Sequence, residues 1–201
     1  MKAVITTDRE TVHKYFKNPP TLETPRLTLR KMMKSDSRDM YAYASNPEVT
    51  RYLLWEPHIN ENYTYKYLSY LQSAYRAGKF YDWAVTSRFD SRMIGTCGFT
   101  DFNFSANSAE VGYVLNPAFW NMGIATEALM AVLDFGFRVL RLHRIEAKYI
   151  IGNDRSRRVM EKVGMRFEGV LRDSVYRRGE YVSVGICSVI AEEFLSAHGI
   201  R

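Results

Sequence analysis

The sequence has few of the residues that build disulfide frameworks or metal centres. Of its 201 residues only two are cysteines and four are histidines. Cys97 and Cys187 each lie in an apolar, strand-like run, where a small buried thiol is the common arrangement. The histidines show no ligand-like spacing, and no cluster of carboxylates accompanies them. Neither a disulfide scaffold nor a metal site is therefore expected.

The sequence also lacks long apolar runs, internal repeats and low-complexity tracts. No segment approaches the ~18 to 20 consecutive apolar residues that a membrane-spanning helix needs. The N-terminal segment up to Pro20 is mixed and charged, unlike the apolar centre of a secretory leader. These absences predict a cytoplasmic protein with no membrane partner.

What is present is the composition of an ordinary globular protein with a basic balance of charge. Hydrophobic residues make up 46% and charged residues 25% of the chain, enough apolar material for one core. The net charge of +6 favours anionic partners such as polyphosphate cofactors or nucleic acid. Lysine and arginine are spread along the chain rather than gathered into runs. A nucleic-acid-binding module is therefore a hypothesis supported by charge alone.

Breakers and hydrophobic periodicity predict one α/β domain behind a short extension. Asn18-Pro19-Pro20 and Thr24-Pro25 separate residues 1–24, expected to form an arm or a short helix, from a domain at residues 25–201. The pattern in this domain predicts a strand, two helices, three strands, a helix, a strand, a helix and two final strands. That order indicates an α/β sandwich around one mixed sheet.

The loop between a predicted strand, Glu110 to Leu115, and a predicted helix, Ala125 to Leu140, is the segment most suggestive of chemistry. The first amide groups of a helix have no partners within it, and the helix dipole makes that end attractive to anions. Gly123 and Ala125 leave room for a ligand to approach the backbone. The loop is therefore a candidate phosphate site, although a plain strand-to-helix turn has the same pattern.

The residues of this loop resemble those of a known family. Residues 120–128, Trp-Asn-Met-Gly-Ile-Ala-Thr-Glu-Ala, are similar to the pyrophosphate loop of the GNAT superfamily of N-acetyltransferases. They are closer still to the W-G-K-G-Y-A-T-E-A of its RimJ/RimL-type branch. The resemblance covers roughly Thr24 to Phe194. Further matching segments follow in the same order at residues 24–30, 94–95, 109–113, 144–147, 153–156 and 161–169.

The resemblance implies a fold, a reaction and a co-substrate. The fold is a GNAT-like mixed, mostly antiparallel, splayed β-sheet flanked by helices on both faces, and the protein transfers an acetyl group from acetyl-CoA without a metal. The pantetheine arm is expected to pair with one strand like an added strand, and the diphosphate to lie on loop amides. The implied cofactor-binding residues are Val114, Leu115, Asn121, Met122, Gly123, Ile124, Ala125, Thr126 and Asn153.

Departures from the branch pattern bear on the chemistry. Met122 stands where Lys, Arg or Gln is usual, so a side-chain charge near the phosphates is missing. Asn121 replaces a glycine, although Asn tolerates left-handed turns better than most residues. Met160 occupies the position of the tyrosine that many members use to protonate the leaving thiolate. Ser156, at the start of the same helix, is the candidate replacement, or else a simple helix N-terminal hydroxyl.

Acyl transfer to an amine also requires a group that removes the ammonium proton. Glu110, beside the predicted cofactor strand, is the first candidate, and Glu146 in the neighbouring strand is the second. Either carboxylate could instead be part of a structural salt bridge. The oxyanion is expected to be held by a main-chain N–H of Val114 or Leu115.

The acceptor implied by the resemblance is a primary amine, either a ribosomal or other protein N-terminus or a small amine such as an antibiotic or a polyamine. Tyr52 and Trp55 match a variable acceptor-side loop of the branch and are candidates for substrate binding as well as for packing. Nucleic acid is expected only through a ribosomal substrate, and the protein is expected to be a monomer or homodimer. The competing hypothesis is a catalytically idle acyl-CoA-binding or sensing module, which Met160 and the changed loop residues favour.

Overall fold

The computed structural model describes residues 6–199, in which strands and helices alternate much as the sequence predicts. The helices in this part of the chain are α1 (Arg9–Lys17), α2 (Ser37–Ala44), α3 (Pro47–Thr50), α4 (Glu61–Arg76), α5 (Ile124–Asp134), α6 (Asp154–Lys162) and α7 (Ala191–His198). The strands are β1 (Leu22–Glu23), β2 (Leu27–Arg30), β3 (Asp82–Ser87), β4 (Met93–Asn103), β5 (Ser108–Leu115), β6 (Arg144–Ile150), β7 (Arg166–Arg177) and β8 (Glu180–Ile190).

The sheet is mixed and mostly antiparallel, as predicted. Its strands follow the order β1-β2-β3-β4-β5-β6-β8-β7. β5 and β6 run parallel, with Ser108 opposite Arg144 and Val111 opposite Ala147. The pairs β1–β2, β2–β3, β3–β4, β6–β8 and β7–β8 are antiparallel. None of the helices in the described part of the chain is long and apolar enough to cross a membrane.

Two compact units make up the chain, and one of them comprises residues 10–98 and 113–132. Helix α4 begins where Asn60 caps it, because the Asn60 side chain accepts a hydrogen bond from the Tyr63 amide at 2.8 Å. Apolar residues at three- and four-residue spacing then bury one face of the helix. We call the resulting cluster the α2–α4 core; it contains Met32, Met40, Tyr43, Ala44, Val49, Leu68, Leu71, Tyr75, Ala84 and Met93.

Helix α1 belongs to the segment predicted as an extension. Its Phe16 is fully buried and meets the Trp83 ring edge-on, with ring centroids 5.0 Å apart. The Trp83 indole N–H in turn donates to the Pro20 carbonyl oxygen at 2.8 Å. Residues 10–20 therefore contribute to the core of this unit. The boundary at residue 24 stays a prediction, and residues 1–5 lie outside the described residues.

Among the described residues, the other unit comprises residues 6–9, 99–112 and 133–199. Helix α7, which the sequence pattern did not predict, packs its buried Phe194 against Phe137 with ring centroids 5.0 Å apart. The helix predicted up to Leu140 is α-helical only as far as Asp134 and continues as a wider π-helical turn. Within that turn Gly136 lies against Ile145, whose terminal Cδ1 would have to shift if a Cβ were added, because the two atoms would be 2.6 Å apart.

Candidate active site

The loop between β5 and α5 exposes a row of main-chain N–H groups. Asn121 and Gly123 both adopt left-handed backbone angles, with φ of 61° and 74°, as the glycine pattern and the Asn replacement suggested. In the described part of the chain, the amides of residues 121–126 donate to no protein acceptor. The amides of Trp120 and Glu127 on either side each donate to a loop carbonyl at 3.0 Å. The open donors therefore coincide with the positive end of α5.

The start of β2 holds this loop in place. The Arg26 Nε donates to the Glu127 carboxylate at 2.6 Å, and its Nη1 donates to the Met122 carbonyl oxygen at 2.9 Å. The Thr24 hydroxyl and the Arg26 amide also donate to Glu127, at 2.6 and 2.9 Å. Burial would raise the pKa of Glu127, but these hydrogen bonds lower it below its usual value. Glu127 therefore stays ionised near neutral pH and fixes Arg26 beside the loop.

Arg26 supplies a positive charge that the loop sequence itself lacks. Its Nη2 lies 3.5 Å from the position that a Cβ on Gly123 would take, and 49% of the side chain is exposed. Guanidinium groups recognise phosphate oxygens through paired N–H donors. Sequence reasoning missed this residue, which it matched only as part of an opening strand. In the sequence Arg26 follows Thr24-Pro25. No local pattern links it to residues near 122, so its position beside the loop could not be predicted.

The end of β5 enters the loop through a close approach to β4. An added Cβ on Gly95 would overlap the Val114 carbonyl oxygen and lie 3.0 Å from the Leu115 Cα, so only glycine fits there. The Trp120 indole N–H donates to the Leu115 carbonyl oxygen at 2.9 Å. These contacts place Val114 and Leu115 in the same unit as the loop and fix their backbone.

Ser156 and Asn153 lie together at the start of α6, in the other unit. The Asn153 Oδ1 accepts a hydrogen bond from the Ser156 amide at 3.3 Å, which caps the helix. The cap uses the side-chain oxygen of Asn153 and does not use its side-chain amide nitrogen. Ser156 is half-buried in the first helical turn, whereas Met160 on the next turn is buried in the core.

Glu110 and Glu146 are opposite each other in the β5–β6 ladder. The Lys148 Nζ lies 2.5 Å from the Glu110 Oε2 and 3.5 Å from a Glu146 oxygen, and the Arg144 guanidinium lies 3.1 Å from Glu146. Burial would lower the pKa of Lys148, but the hydrogen bond to Glu110 and the two negative charges raise it. Both candidate bases are therefore paired with cations, and the catalytic role of Glu110 stays a prediction.

The two aromatic candidates for acceptor binding differ in their surroundings. Trp55 packs against the α2–α4 core, and its ring centroid lies 5.4 Å from that of His58. Tyr52 lies beneath the Arg51 guanidinium, 5.4 Å from the ring centroid. Val114 also packs against the α2–α4 core. Trp55 therefore packs against the same core as Val114, a predicted cofactor contact, whereas Tyr52 forms a cation–π contact with Arg51.

In residues 6–199 no group of three or more His, Cys, Asp or Glu side chains is arranged to hold a metal ion. Comparison with known proteins then decides the family, because the model of the acetyltransferase (GNAT) domain matches residues 26–166. The chain belongs to the GNAT family. As a GNAT protein it is an acetyl-CoA-dependent acetyltransferase.

Similar proteins extend over nearly the whole GNAT chain. It is 33% identical over 174 residues to the uncharacterized N-acetyltransferase p20 of Bacillus licheniformis, covering 87% of this chain and 98% of that protein. A crystal structure of a GNAT-family acetyltransferase from Bacillus anthracis matches with a TM-score of 0.77 and 29% identity, covering 87% of this chain and all of that one.

More distant similarities carry names that specify acceptors. The chain is 21% identical over 178 residues to the spermidine N(1)-acetyltransferase of Escherichia coli, covering 85% of this chain and 89% of that protein. A structure of the ribosomal-protein-S5-alanine acetyltransferase from Vibrio fischeri matches with a TM-score of 0.70 and 23% identity, covering 87% and 98%, a likeness of fold alone. The comparisons therefore establish the GNAT family and leave the branch open.

Proposed function

We propose that this GNAT protein transfers the acetyl group of acetyl-CoA to a primary amine and holds the diphosphate on the amides of residues 121–126. The observation that carries the proposal is the row of loop N–H groups that have no acceptor in the described part of the chain. These donors, the α5 dipole and the Arg26 guanidinium all favour an anion at one place. When bound, acetyl-CoA supplies an acetyl group activated as a thioester.

The far end of β5 supports the assignment of Val114 and Leu115 to the pantetheine arm. The ladder that joins β5 to β6 covers Ser108–Val111, while β5 itself continues to Leu115. An extended arm that bonds to backbone groups beyond the ladder would follow the pattern of an added strand. We assign the Leu115 amide or the Val114 amide to the developing oxyanion.

We propose Ser156 as the donor that returns a proton to the leaving thiolate. Methionine at position 160 has no proton to give, and the Asn153 cap holds the Ser156 hydroxyl at the beginning of α6. Asn153 is proposed to reach the pantetheine or acetyl end with its amide nitrogen. A carboxylate must take the proton of the acceptor's ammonium group, and the candidate from the sequence is Glu110.

We propose an acceptor with an unhindered primary amine, either a ribosomal or other protein N-terminus, as in the RimJ/RimL-type branch, or a small polyamine. The aromatic side chains of Trp55 and Tyr52 are the proposed acceptor-side contacts, because aromatic faces attract ammonium groups. The names of the two distant relatives specify one acceptor of each class, spermidine for the polyamines and a ribosomal protein for the protein N-termini.

The test of this proposal is a turnover screen. Purified protein is mixed with acetyl-CoA and with spermidine, or with peptides that begin with alanine or serine, and free thiol release is followed together with the mass of the amine product. We expect amine-dependent thiol release with one acceptor class and acetylation of that amine. Coenzyme A binding without amine-dependent thiol release across the panel would favour an idle binding module instead.

Replacing Arg26 tests its role beside the loop. We expect Arg26→Ala to weaken coenzyme A binding roughly 10- to 100-fold in calorimetry, because hydrogen bonds to charged groups contribute about 1.5–3 kcal/mol. Affinity for pantetheine, which has no diphosphate, is expected to stay unchanged. Arg92→Ala is the matched control, since Arg92 also forms an exposed ion pair, with Asp39, and carries the same charge. An equal loss of affinity for both ligands would mean that Arg26 only braces the loop.

A further inference from the structure

Asp82, the first residue of β3, is a carboxylate without a cationic partner in the described part of the chain. Its Oδ1 accepts a hydrogen bond from the Trp83 amide at 2.9 Å, and the Thr96 hydroxyl donates a second one. Burial raises the pKa of Asp82 to about 7, and these hydrogen bonds offset the effect only in part. Asp82 as a whole residue is half-buried, whereas its carboxylate is enclosed by protein. Such a group gains and loses a proton in the neutral range.

The groups that face Asp82 are acidic or neutral. They are Tyr43 on α2, Tyr67 and Tyr75 on α4, and Cys97 on β4, whose pKa values are raised first by burial and then, in part, by the charge of Asp82. The Tyr75 hydroxyl donates to the Asp82 carbonyl oxygen at 2.7 Å and is thereby occupied. The Lys31 ammonium lies over the Tyr75 ring, 5.1 Å from its centroid, and forms no ion pair with Asp82 in the described part of the chain. An incoming cation would therefore be the first positive charge paired with this carboxylate.

The Tyr43 hydroxyl is the second unusual group. Tyr43 is fully buried, and its hydroxyl has no hydrogen-bond partner in the described part of the chain. A buried hydroxyl without a partner is destabilising, so such groups are uncommon in native proteins. The Tyr43 hydroxyl lies in the electric field of Asp82 and lacks a protein partner in the described residues. Both observations are expected of a hydroxyl that forms its hydrogen bond with a bound ligand.

The position of Asp82 relates it to the proposed cofactor contacts within the same unit. Asp82 pairs with Gly98 of β4, and three residues earlier on β4 Gly95 lies against Val114. The α2–α4 core, which includes Tyr43, also packs against Val114 and Trp55. One strand, β4, thus lies between Asp82 and a proposed pantetheine contact, and Asp82 borders the core that supports a proposed acceptor contact.

We infer that Asp82 takes the proton from the acceptor's ammonium group, an inference that rests on the proposed function. The ammonium transfers one proton to the Asp82 carboxylate, which passes it to solvent before the next turnover. The freed lone pair forms the N–C bond as the C–S bond breaks. The second proton lost by nitrogen ends on the thiolate, through Ser156. Glu110 is less suited, because Lys148 occupies the oxygen that would accept the proton.

The test compares Asp82→Asn with Glu110→Gln in the full chain, using the amine found by the turnover screen. The reaction of the unaltered protein is expected to rise with pH around an apparent pKa near 7. Asp82→Asn should lower kcat at least about 100-fold and remove that rise. Glu110→Gln should keep the rise with pH, because the Asp82 carboxylate is retained. Both variants should bind coenzyme A as before.

The outcomes separate this inference from the function on which it depends. Failure of the unaltered protein to bind coenzyme A or to acetylate any amine would overturn the proposed function. Full activity of Asp82→Asn with the pH profile retained would overturn only the role of Asp82. The reverse result, in which Glu110→Gln alone removes the rise with pH, would identify Glu110 as the base.

Thermal stability supplies a readout that does not depend on activity. The folded protein holds the Asp82 proton more tightly than the unfolded chain does, so folding becomes less favourable as the pH rises from about 4 to about 7. Asp82→Asn removes this loss. The Tm of the variant minus the Tm of the unaltered protein should therefore be larger at about pH 8 than at about pH 4. If the difference in Tm between Asp82→Asn and the unaltered protein is the same at both pH values, the pKa of Asp82 is not raised in the folded protein.

A second variant covers the case in which Asp82→Asn does not fold. Tyr43→Phe removes the unpartnered hydroxyl without opening a cavity, so its Tm should stay the same or rise. If that hydroxyl meets the acceptor, KM for the amine should increase several-fold while coenzyme A affinity is retained. An unchanged KM would contradict the acceptor position inferred for this site.

Discussion

Gly123→Ala is expected to weaken coenzyme A binding at least roughly 100-fold while the protein stays folded, as measured by calorimetry and circular dichroism. Gly123 holds a φ of 74°, which side-chain-bearing residues rarely adopt, at a cost of about 1–2 kcal/mol. The added Cβ would also stand among the exposed amides that are proposed to meet the diphosphate. Relaxing the backbone towards negative φ would turn those donors away from one another.

A matched control separates backbone strain from loss of the site. Gly179 holds a φ of 89° in the turn between β7 and β8, with no heavy atom within 4 Å of an added Cβ. Gly179→Ala should therefore cost a similar amount of stability and leave coenzyme A binding unchanged. Normal binding by Gly123→Ala, or equal loss in both variants, would contradict the proposed role of the loop.

Ser156→Ala is expected to lower kcat roughly 100-fold with little change in the KM for acetyl-CoA. The substitution removes one hydroxyl, and the Asn153 cap, which uses the Ser156 main-chain amide, remains. The loss should therefore reflect proton delivery to the thiolate rather than helix stability. Steady-state kinetics and a single-turnover measurement of thiol release test this prediction.

Ser69→Ala controls for the removal of a helical hydroxyl elsewhere. Ser69 lies on α4, and its hydroxyl bonds only locally, to the Tyr65 carbonyl oxygen at 2.8 Å. Its kcat should match that of the unaltered protein. If Ser156→Ala behaves in the same way, the Ser156 hydroxyl is only part of the helix N-terminus and another group protonates the thiolate.

Features of this fold that depend on neighbouring residues were predictable from the sequence. An asparagine just before an apolar helical pattern predicts a helix start, and Asn60 provides one by accepting the Tyr63 amide, which is a contact across three residues. The strand, loop and helix around Gly123 were predictable for the same reason, and the tolerance of Asn121 for a left-handed turn is matched by its φ of 61°. Local hydrogen bonds and backbone preferences carry this information.

Features that depend on distant residues could not be predicted in the same way. Arg26 meets Glu127 across 101 residues of sequence, and Lys148 meets Glu110 across 38. The pKa of Asp82 depends on burial by packed elements, which no local pattern encodes. Contacts between residues distant in sequence decide whether a charged side chain is catalytic or forms a structural ion pair. The roles of charged residues are therefore the least predictable from the sequence.

Amide nuclear magnetic resonance of the ¹⁵N-labelled protein tests most directly whether the main-chain amides of residues 121–126 hold a diphosphate. On addition of coenzyme A, the signals of these six amides should move together, whereas pantetheine, which has no diphosphate, should leave them in place. We expect neither of two results. If coenzyme A binds and these signals stay unchanged, or if pantetheine moves them equally, the diphosphate is not held by these amides.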